Sequence, residues 1–298
     1  MKISLIIPFY NARSYLDILC EALQSQTLSE EKFEIIFVDN NSSDNSVEII
    51  NESFQASQNR FTFRILEYKA RASSYGARNI GVNASNGDVL VFTDADCEPK
   101  KDWLSNIMDA FERTPTLDVI SGFVDLKVLN PNNPWELYDK EFHMDNERNL
   151  ARGRIVTANL SVRKECFLSI GYFDEVESGG DFNWSRKIKL NNKKMNFIKG
   201  IIVLHPTRKT EVEILTKLKR LVRGEAEIAV KSNQVLNKSL KAMLRPMNVF
   251  IYKRILSTIE NSEMSKIMQL QFILCVAKLK IIQMIEFYKS LLNNMFRK

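Results

Sequence analysis

The sequence has few cysteines, and no two of them are close together. The chain of 298 residues contains four, namely Cys20, Cys97, Cys166 and Cys275. Without a CxxC pair, the sequence indicates neither a structural zinc site nor a framework of disulfides. This usage is typical of a reducing environment, so we expect a cytoplasmic protein.

Long hydrophobic segments are also absent. No stretch reaches the roughly 18 consecutive apolar residues of a transmembrane helix, and the most apolar one, Phe272–Ala277, is soon interrupted by Lys278 and Lys280. The apolar run at the start is cut off at Pro8 and Asn11, which favours a first strand over a signal peptide. We therefore expect a protein that does not span a membrane. The hydrophobic content of 45% is sufficient for a buried core and excludes general disorder.

Charge is distributed unevenly along the chain. The net charge is +6, yet residues 212–298 hold 16 Lys and Arg against 6 Glu, a local charge of +10 that leaves −4 for residues 1–211. This last segment also has no glycine after Gly224 and one proline, Pro246, which predicts long helices. We expect a domain boundary near residue 211 and an anionic surface as partner of the basic helices, although solvated helix faces would have a similar composition.

Over the first hundred residues, short β-type runs alternate with helical patterns, which predicts an α/β fold with a mostly parallel sheet flanked by helices. Strands are expected at Ile3–Ile7, Phe33–Val38, Thr62–Glu67 and Asp88–Thr93, and helices at Tyr15–Gln24, Val47–Phe54, Tyr75–Ala84 and Trp103–Arg113, the last followed by an apolar stretch at Val119–Val128. Several strands end in polar or acidic residues, at the edge where open α/β sheets bind ligands.

The fourth predicted strand ends in Asp94-Ala95-Asp96. Two carboxylates so close repel each other and lose hydration, so a cation is expected beside them. Mg²⁺ or Mn²⁺ prefers such oxygen ligands and can bridge a carboxylate to the phosphates of a nucleotide. The alternative is a turn in which one of the two carboxylates caps the helix after Pro99.

Six separated segments occur in a recognisable order. They are LIIPFYNA, FVDNNSSDNS, SSYGARNIGVNASNGDVLVFTDADCEP, TANLSVRKECFLSIGYFDE, SGGDFNWSRKI and VLHPTRKT. Together they resemble the inverting glycosyltransferases of family 2 over about residues 1–225. The resemblance implies a GT-A fold, a Rossmann-like domain of nucleotide-diphospho-sugar transferases, over residues 1–211, with a C-terminal helical extension over 212–298. It also implies transfer of a sugar to a hydroxyl of a cell-surface polysaccharide or lipid-linked glycan.

The resemblance assigns the nucleobase to the first two strands. Asp39 would accept a hydrogen bond from the base, Tyr10 would stack on it, and Pro8 would supply backbone contacts nearby. A UDP-sugar is the favoured donor. The alternative is that Asp39 starts an Asx turn and that Tyr10 is a core ring.

The diphosphate is assigned by resemblance to Asp94 and to three arginines, because a guanidinium offers a planar fork of donors. Arg71 carries the greater weight, and Arg208 is expected close to the phosphates. Arg78 is a further candidate, although an arginine there also serves to pin its helix against the sheet. A surface salt bridge is the alternative role of Arg71.

The same resemblance completes a metal site. Asp94 and Asp96 would bind Mn²⁺ or Mg²⁺, with His205 as a neutral imidazole ligand at the end of a late strand. A histidine in that position can instead be a hydrogen-bonded structural residue.

By resemblance Asp181 is the catalytic base, which takes the proton of the attacking hydroxyl in a single displacement. The family usually has a Glu-Asp pair where this chain has Gly180-Asp181. Asp181 also suits a helix N-cap, and both roles are compatible. Asn159, Asn183 and Trp184 are assigned to the acceptor side, with core packing as the alternative for Trp184.

Three alternatives remain open for the basic helices: contact with a membrane interface at the inner face of the cell membrane, packing on the catalytic domain, or a homo-oligomer contact. Nucleic acid is not expected as a partner. A nucleotidyltransferase would need a glycine-rich, lysine-bearing loop, which PFYNARSYL lacks. A non-catalytic binding or scaffold protein of the same fold is supported by the missing glutamate before Asp181.

Overall fold

A computed structural model describes residues 1–56, 60–70, 73–144, 146–244, 249–260 and 264–296. The chain forms two compact units. The first comprises Met1–Asp125, Met144–Glu175 and Gly180–Pro206, and the second comprises Leu126–His143, Val176–Gly179 and Thr207–Lys298. The second unit therefore includes two internal segments that no feature of the sequence sets apart.

The strands are β1 (Ile3–Phe9), β2 (Phe33–Asp39), β3 (Phe63–Glu67), β4 (Val89–Phe92), β5 (Glu98–Pro99), β6 (Val119–Lys127), β7 (Leu160–Arg163) and β8 (Met195–Pro206). The helices are α1 (Arg13–Gln24), α2 (Ser46–Gln55), α3 (Ser74–Ala84), α4 (Trp103–Arg113), α5 (Pro134–Phe142), α6 (Asn146–Ala151), α7 (Lys164–Ile170), α8 (Gly180–Leu190), α9 (Glu211–Lys231), α10 (Val235–Met243), α11 (Val249–Glu260) and α12 (Lys266–Met295).

The sheet has eight strands in the order β3-β2-β1-β4-β7-β6-β8-β5. The first four pair in parallel, whereas β7 is antiparallel to both β4 and β6, and β5 is antiparallel to β8. The predicted mostly parallel α/β sheet is confirmed. Because β1 lies between β2 and β4, the order of strands reverses there, and such a switch point opens a ligand crevice at the carboxyl ends of the strands.

Close packing of α3 on the sheet depends on small side chains. β1 is buried at every position, as expected for a parallel strand covered on both faces. A Cβ added to Gly81 of α3 would lie 2.4 Å from the Cγ2 atom of Ile6. Glycine therefore brings α3 close to β1 and β2 and fixes the start of that helix near the carboxyl ends of the strands.

The second unit is helical and has its own apolar core, which includes Tyr138 of α5, Leu218 of α9 and Phe272 and Phe287 of α12. The helix α9 begins with a capping box, in which Thr210 and Glu213 satisfy each other's backbone N–H groups. Within the described residues, no helix combines the length and apolar character needed to cross a membrane.

Candidate active site

A backbone hydrogen bond joins the ends of β1 and β2 at the switch point. The Asn40 amide donates to the Phe9 carbonyl oxygen at 2.8 Å, and the Ser42 amide donates to Asp39 Oδ1 at 2.9 Å. The Asp39 side chain therefore accepts from the backbone three residues on, rather than two residues on as in the Asx turn considered as the alternative. Tyr10 directly follows β1 and is 60% exposed, so its ring is not a core ring, while Pro8 is buried inside β1. An exposed aromatic face beside a partly buried carboxylate suits a flat base.

The Asp94-Ala95-Asp96 segment forms a tight turn after β4. Thr93 Oγ1 donates to the Ala158 carbonyl oxygen at 2.9 Å, and the Cys97 amide donates to the Asp94 carbonyl oxygen at 3.1 Å. Asp94 pairs with Arg78, whereas Asp96 Oδ2 lies 3.3 Å from His205 Nε2. The two carboxylates thus have different partners, and Asp96 is the one that shares the histidine.

His205 is buried, with 2% of its surface exposed, and its imidazole ring has a defined orientation. Its Nδ1 lies 2.7 Å from the Pro206 carbonyl oxygen. A carbonyl oxygen only accepts, so Nδ1 donates and Nε2 is directed at Asp96. Asp96, Cys97 and His205 have ligand atoms within 4.8 Å of one another. Burial and the neighbouring carboxylates raise the pKa of the Cys97 thiol, which keeps it protonated and leaves Asp96 and His205 as the better ligands.

Arg78 lies under the site rather than at its surface. The side chain is 3% exposed, pairs with Asp94 through Nη2, and has its guanidinium carbon 5.6 Å from the centre of the Tyr75 ring. Among the described residues, no acceptor lies at its Nε. Arg78 therefore pins α3 to the turn after β4, the second of the two roles expected from the sequence.

Asp181 is buried in the first turn of α8. The Tyr75 hydroxyl donates to Asp181 Oδ1 at 2.9 Å, and the Phe182 amide donates to the same oxygen at 2.9 Å. Burial raises the pKa of the Asp181 carboxyl, while the Tyr75 hydrogen bond and the Arg78 charge offset part of that rise. Burial and the adjacent carboxylate raise the pKa of Tyr75, so its hydroxyl keeps its hydrogen and donates.

Gly180 has no room for a side chain. A Cβ at this position would lie 2.9 Å from the Asp174 carbonyl oxygen and 2.9 Å from the Tyr75 ring. Where the family usually has a glutamate, this chain therefore has a glycine, because the Tyr75 ring fills the space beside it; the Tyr75 hydroxyl donates to Asp181. Tyr75 is a site residue that the sequence did not single out; its only signal was its place in the SSYG segment.

Two residues assigned to the acceptor side are core residues in the structure. Trp184 is fully buried, stacks on Phe167 and donates from Nε1 to the Gly171 carbonyl oxygen at 2.8 Å. Asn159, also fully buried, receives a hydrogen bond from Trp103 Nε1 at 3.0 Å. Its amide nitrogen donates to two backbone carbonyl oxygens. Neither side chain has a face left for a sugar, so we assign both a packing role.

The remaining predicted residues are placed differently. Asn183 is half-buried, and its side-chain amide donates to the Asp174 carboxylate. The same carboxylate pairs with Lys187 at 3.2 Å. Asn183 therefore places a polar side chain one helical turn after Gly180. Arg71 lies outside the described residues. Arg208 belongs to the second unit.

Within the second unit, Arg208 is part of a buried charge cluster around Asp139. Asp139 Oδ2 accepts from the Arg208 amide at 2.9 Å and from Nη1 at 3.2 Å, while Oδ1 accepts from Lys217 Nζ at 3.4 Å and pairs with His143. Burial opposes ionisation, yet the His143 hydrogen bond and the two cations hold the pKa of Asp139 well below its usual range. Burial lowers the pKa of His143 to about 3 and that of Lys217 to about 8.

Solved structures share this fold. A mannosyltransferase from Pyrobaculum calidifontis, determined with GDP-Man and Mn²⁺, superposes with a TM-score of 0.66 at 15% identity, covering 100% of this chain and 88% of that one. S. aureus TarS residues 1–349 with UDP-GlcNAc superposes with a TM-score of 0.59 at 15% identity, covering 99% and 92%. The chain therefore has the GT-A fold of sugar transferases.

Sequence comparison gives the family. The model of glycosyl transferase family 2 matches residues 4–170. Glycosyltransferase AglE from Haloferax volcanii is 31% identical over 228 residues, which cover 76% of this chain and 73% of that protein. The chain belongs to glycosyl transferase family 2 and is a glycosyltransferase. The family match contains the turn after β4 and Tyr75 but ends before Asp181, His205 and Arg208.

Proposed function

We propose that the chain transfers a sugar, with inversion, from a nucleotide diphosphate donor, preferably a UDP-sugar, to a hydroxyl of a cell-surface polysaccharide or lipid-linked glycan. The observation that carries this proposal is the buried carboxylate of Asp181, hydrogen-bonded by Tyr75 and linked through Arg78 to the turn after β4. One base is what a single displacement requires.

In this proposal the donor lies at the switch point between β1 and β4. Tyr10 stacks on the base, Asp39 accepts from it, and the Pro8 backbone lines its edge. Arg71 supplies a cationic fork for the diphosphate. Arg78 acts on the donor through Asp94, because its guanidinium holds that carboxylate in place.

Asp96 and His205 fit a divalent cation, Mn²⁺ or Mg²⁺. The Asp96 carboxylate and the His205 Nε2 atom lie 3.3 Å apart, and the bond from Nδ1 to Pro206 fixes the imidazole in the ligating tautomer. Asp94 is the third ligand in the proposal. When bound, the cation supplies positive charge that stabilises the departing diphosphate.

Asp181 then performs the proton transfer. The acceptor oxygen bonds to the anomeric carbon as the bond from that carbon to the diphosphate oxygen breaks, and the hydroxyl proton passes to the Asp181 carboxylate. Burial raises the pKa of this carboxyl, which makes it a stronger base than an exposed aspartate. Asn183, placed near Asp174, is the remaining polar candidate to hold acceptor hydroxyls.

Calorimetry of UDP binding with and without Mn²⁺ tests the metal site. We expect Mn²⁺ to tighten UDP binding to the wild-type chain, and we expect Asp96→Ala to lose that gain. Asp109→Ala removes an exposed carboxylate on α4 that pairs with Arg113 four residues away; it is the matched control and should keep the gain. An unchanged metal dependence in Asp96→Ala would refute the assignment.

The donor is identified by a thermal-shift screen of UDP-, GDP-, dTDP- and CDP-sugars with Mn²⁺. A ligand at a hundred times its Kd stabilises the folded state by about 2.7 kcal/mol, so a specific donor raises the Tm clearly.

We further assign the basic helices α9 to α12 to an anionic membrane surface, with the enzyme peripheral on the inner face of the cell membrane.

A further inference from the structure

One face of α12 is apolar and exposed although the helix is packed into the second unit. Six of its apolar side chains are between 43% and 73% exposed. We call them the α12 stripe: Ile267, Leu270, Leu274, Ile281, Ile285 and Leu292. Steps of three, four and seven residues return to one side of a helix, and at 1.5 Å per residue the stripe is about 38 Å long.

Folding of the second unit does not account for this face. The opposite side of α12 carries Phe272, Val276, Leu279 and Phe287, all buried, and these residues pack in the core. A helix with one buried side normally places polar residues on the other. Here the solvated side carries the six apolar residues of the α12 stripe, and exposed apolar side chains aligned over this length indicate a contact surface rather than scattered surface residues.

The charges beside the α12 stripe are basic. Lys278 and Lys289 stand within it, eleven residues apart and therefore on the same side after three turns. Their side chains are 53% and 66% exposed. The sequence of α12 contains a single acidic residue, Glu286, which is mostly buried at 22% exposure and pairs with Lys289 at 3.3 Å. Lys278 pairs with Glu211 of α9.

We propose that the α12 stripe lies on an anionic lipid surface, with its apolar side chains at the acyl boundary and with Lys278 and Lys289 at the level of the lipid phosphates. A second copy of the chain fits this face less well, because two facing stripes would enclose four lysines in one apolar seam. Anionic headgroups have the complementary charge. The inference deepens the membrane assignment above but does not depend on the transfer chemistry.

Vesicle flotation of the full-length chain tests the proposal. We expect binding to phosphatidylcholine vesicles that contain roughly one third phosphatidylglycerol, and binding at least about tenfold weaker to phosphatidylcholine alone, because basic residues near an anionic surface add to the attraction. Leu274→Glu combined with Ile281→Glu should weaken binding by about a hundredfold or more, since two aliphatic side chains leave the apolar contact. Leu168→Glu, on α7 of the first unit and 48% exposed, is the matched control and should bind as wild type.

A second variant covers the case in which the double glutamate chain fails to fold by circular dichroism. Lys278→Gln with Lys289→Gln should lower binding to the anionic vesicles by about tenfold and leave binding to neutral vesicles unchanged. The proposal is overturned if the wild type stays off anionic vesicles. It is equally overturned if the wild type is a dimer that Leu274→Glu with Ile281→Glu converts to a monomer. Donor turnover in solution should persist in these variants, which separates this test from that of the transfer reaction.

Discussion

Removal of the Tyr75 hydroxyl is the sharpest test of Asp181 as the proposed base. Tyr75→Phe deletes the donor 2.9 Å from Asp181 Oδ1 and keeps the ring, which packs against Phe173 with 5.9 Å between ring centroids and lies under Arg78. The Asp181 carboxylate keeps its hydrogen bond from the Phe182 amide. The substitution is therefore local and should leave the fold intact.

The size of the effect follows from the chemistry of that bond. A hydrogen bond to a charged group contributes about 1.5–3 kcal/mol, and 1.36 kcal/mol corresponds to about one pKa unit. The Tyr75 bond favours the ionised carboxylate and lowers its pKa against burial. Its loss should raise the pKa of Asp181 further, so the enzyme should need a higher pH to keep the Asp181 carboxylate ionised.

The assay is the pH dependence of kcat/KM, measured from initial rates of sugar transfer. We expect the acid limb of the profile to move upward by about one to two pH units in Tyr75→Phe, with a smaller change on the plateau. Tyr68→Phe is the matched control, because it deletes a hydroxyl that donates to Glu175 at 2.7 Å in the same unit. An acid limb that stays in place, or that moves equally in both variants, refutes the reasoning.

Two further outcomes are expected. Asp181→Asn should abolish transfer while UDP binding, measured by calorimetry, stays near the wild-type value; equal loss of both would remove its role as base. The folded-state pKa of His143 is lowered to about 3 from 6.5, so the unfolded chain binds a proton that the folded chain does not, and stability falls as the pH drops from about 6.5 towards 3. Between pH 6.5 and 5 the free energy of unfolding should fall by about 1.6 kcal/mol, as measured by urea titration, and His143→Gln should flatten this slope.

Much of the first unit could be predicted from local patterns. The helix predicted at Trp103–Arg113 has those bounds in the structure, and the strand predicted at Phe33–Val38 extends by one residue to Asp39. Such elements are visible because burial imposes a period on the sequence. The placement of Asp39 and Asp94 at one edge also followed, since parallel strands share their carboxyl ends.

Side-chain partners could not be predicted, because they depend on contacts between distant segments. The hydrogen bond from Tyr75 to Asp181 joins residues 106 positions apart. Asn159 looked like a polar group for an acceptor, yet it lies between Trp103 and the backbone of two strands. The cluster around Asp139 likewise joins α5 to α9, and a residue's type alone does not indicate whether its polar atoms face a ligand or the protein.

The interleaved second unit has a practical consequence for anyone who wishes to shorten this enzyme. A chain cut after the last strand, at Pro206, would still carry α5, whose Tyr138 is fully covered in the intact protein by a core that α9 and α12 largely build. Asp139 would lose the Lys217 ammonium and the Arg208 guanidinium together. The fragment would then expose the apolar side chains and the uncompensated carboxylates of α5 to solvent. Aggregation of such a fragment during expression would not show that the first unit is misfolded.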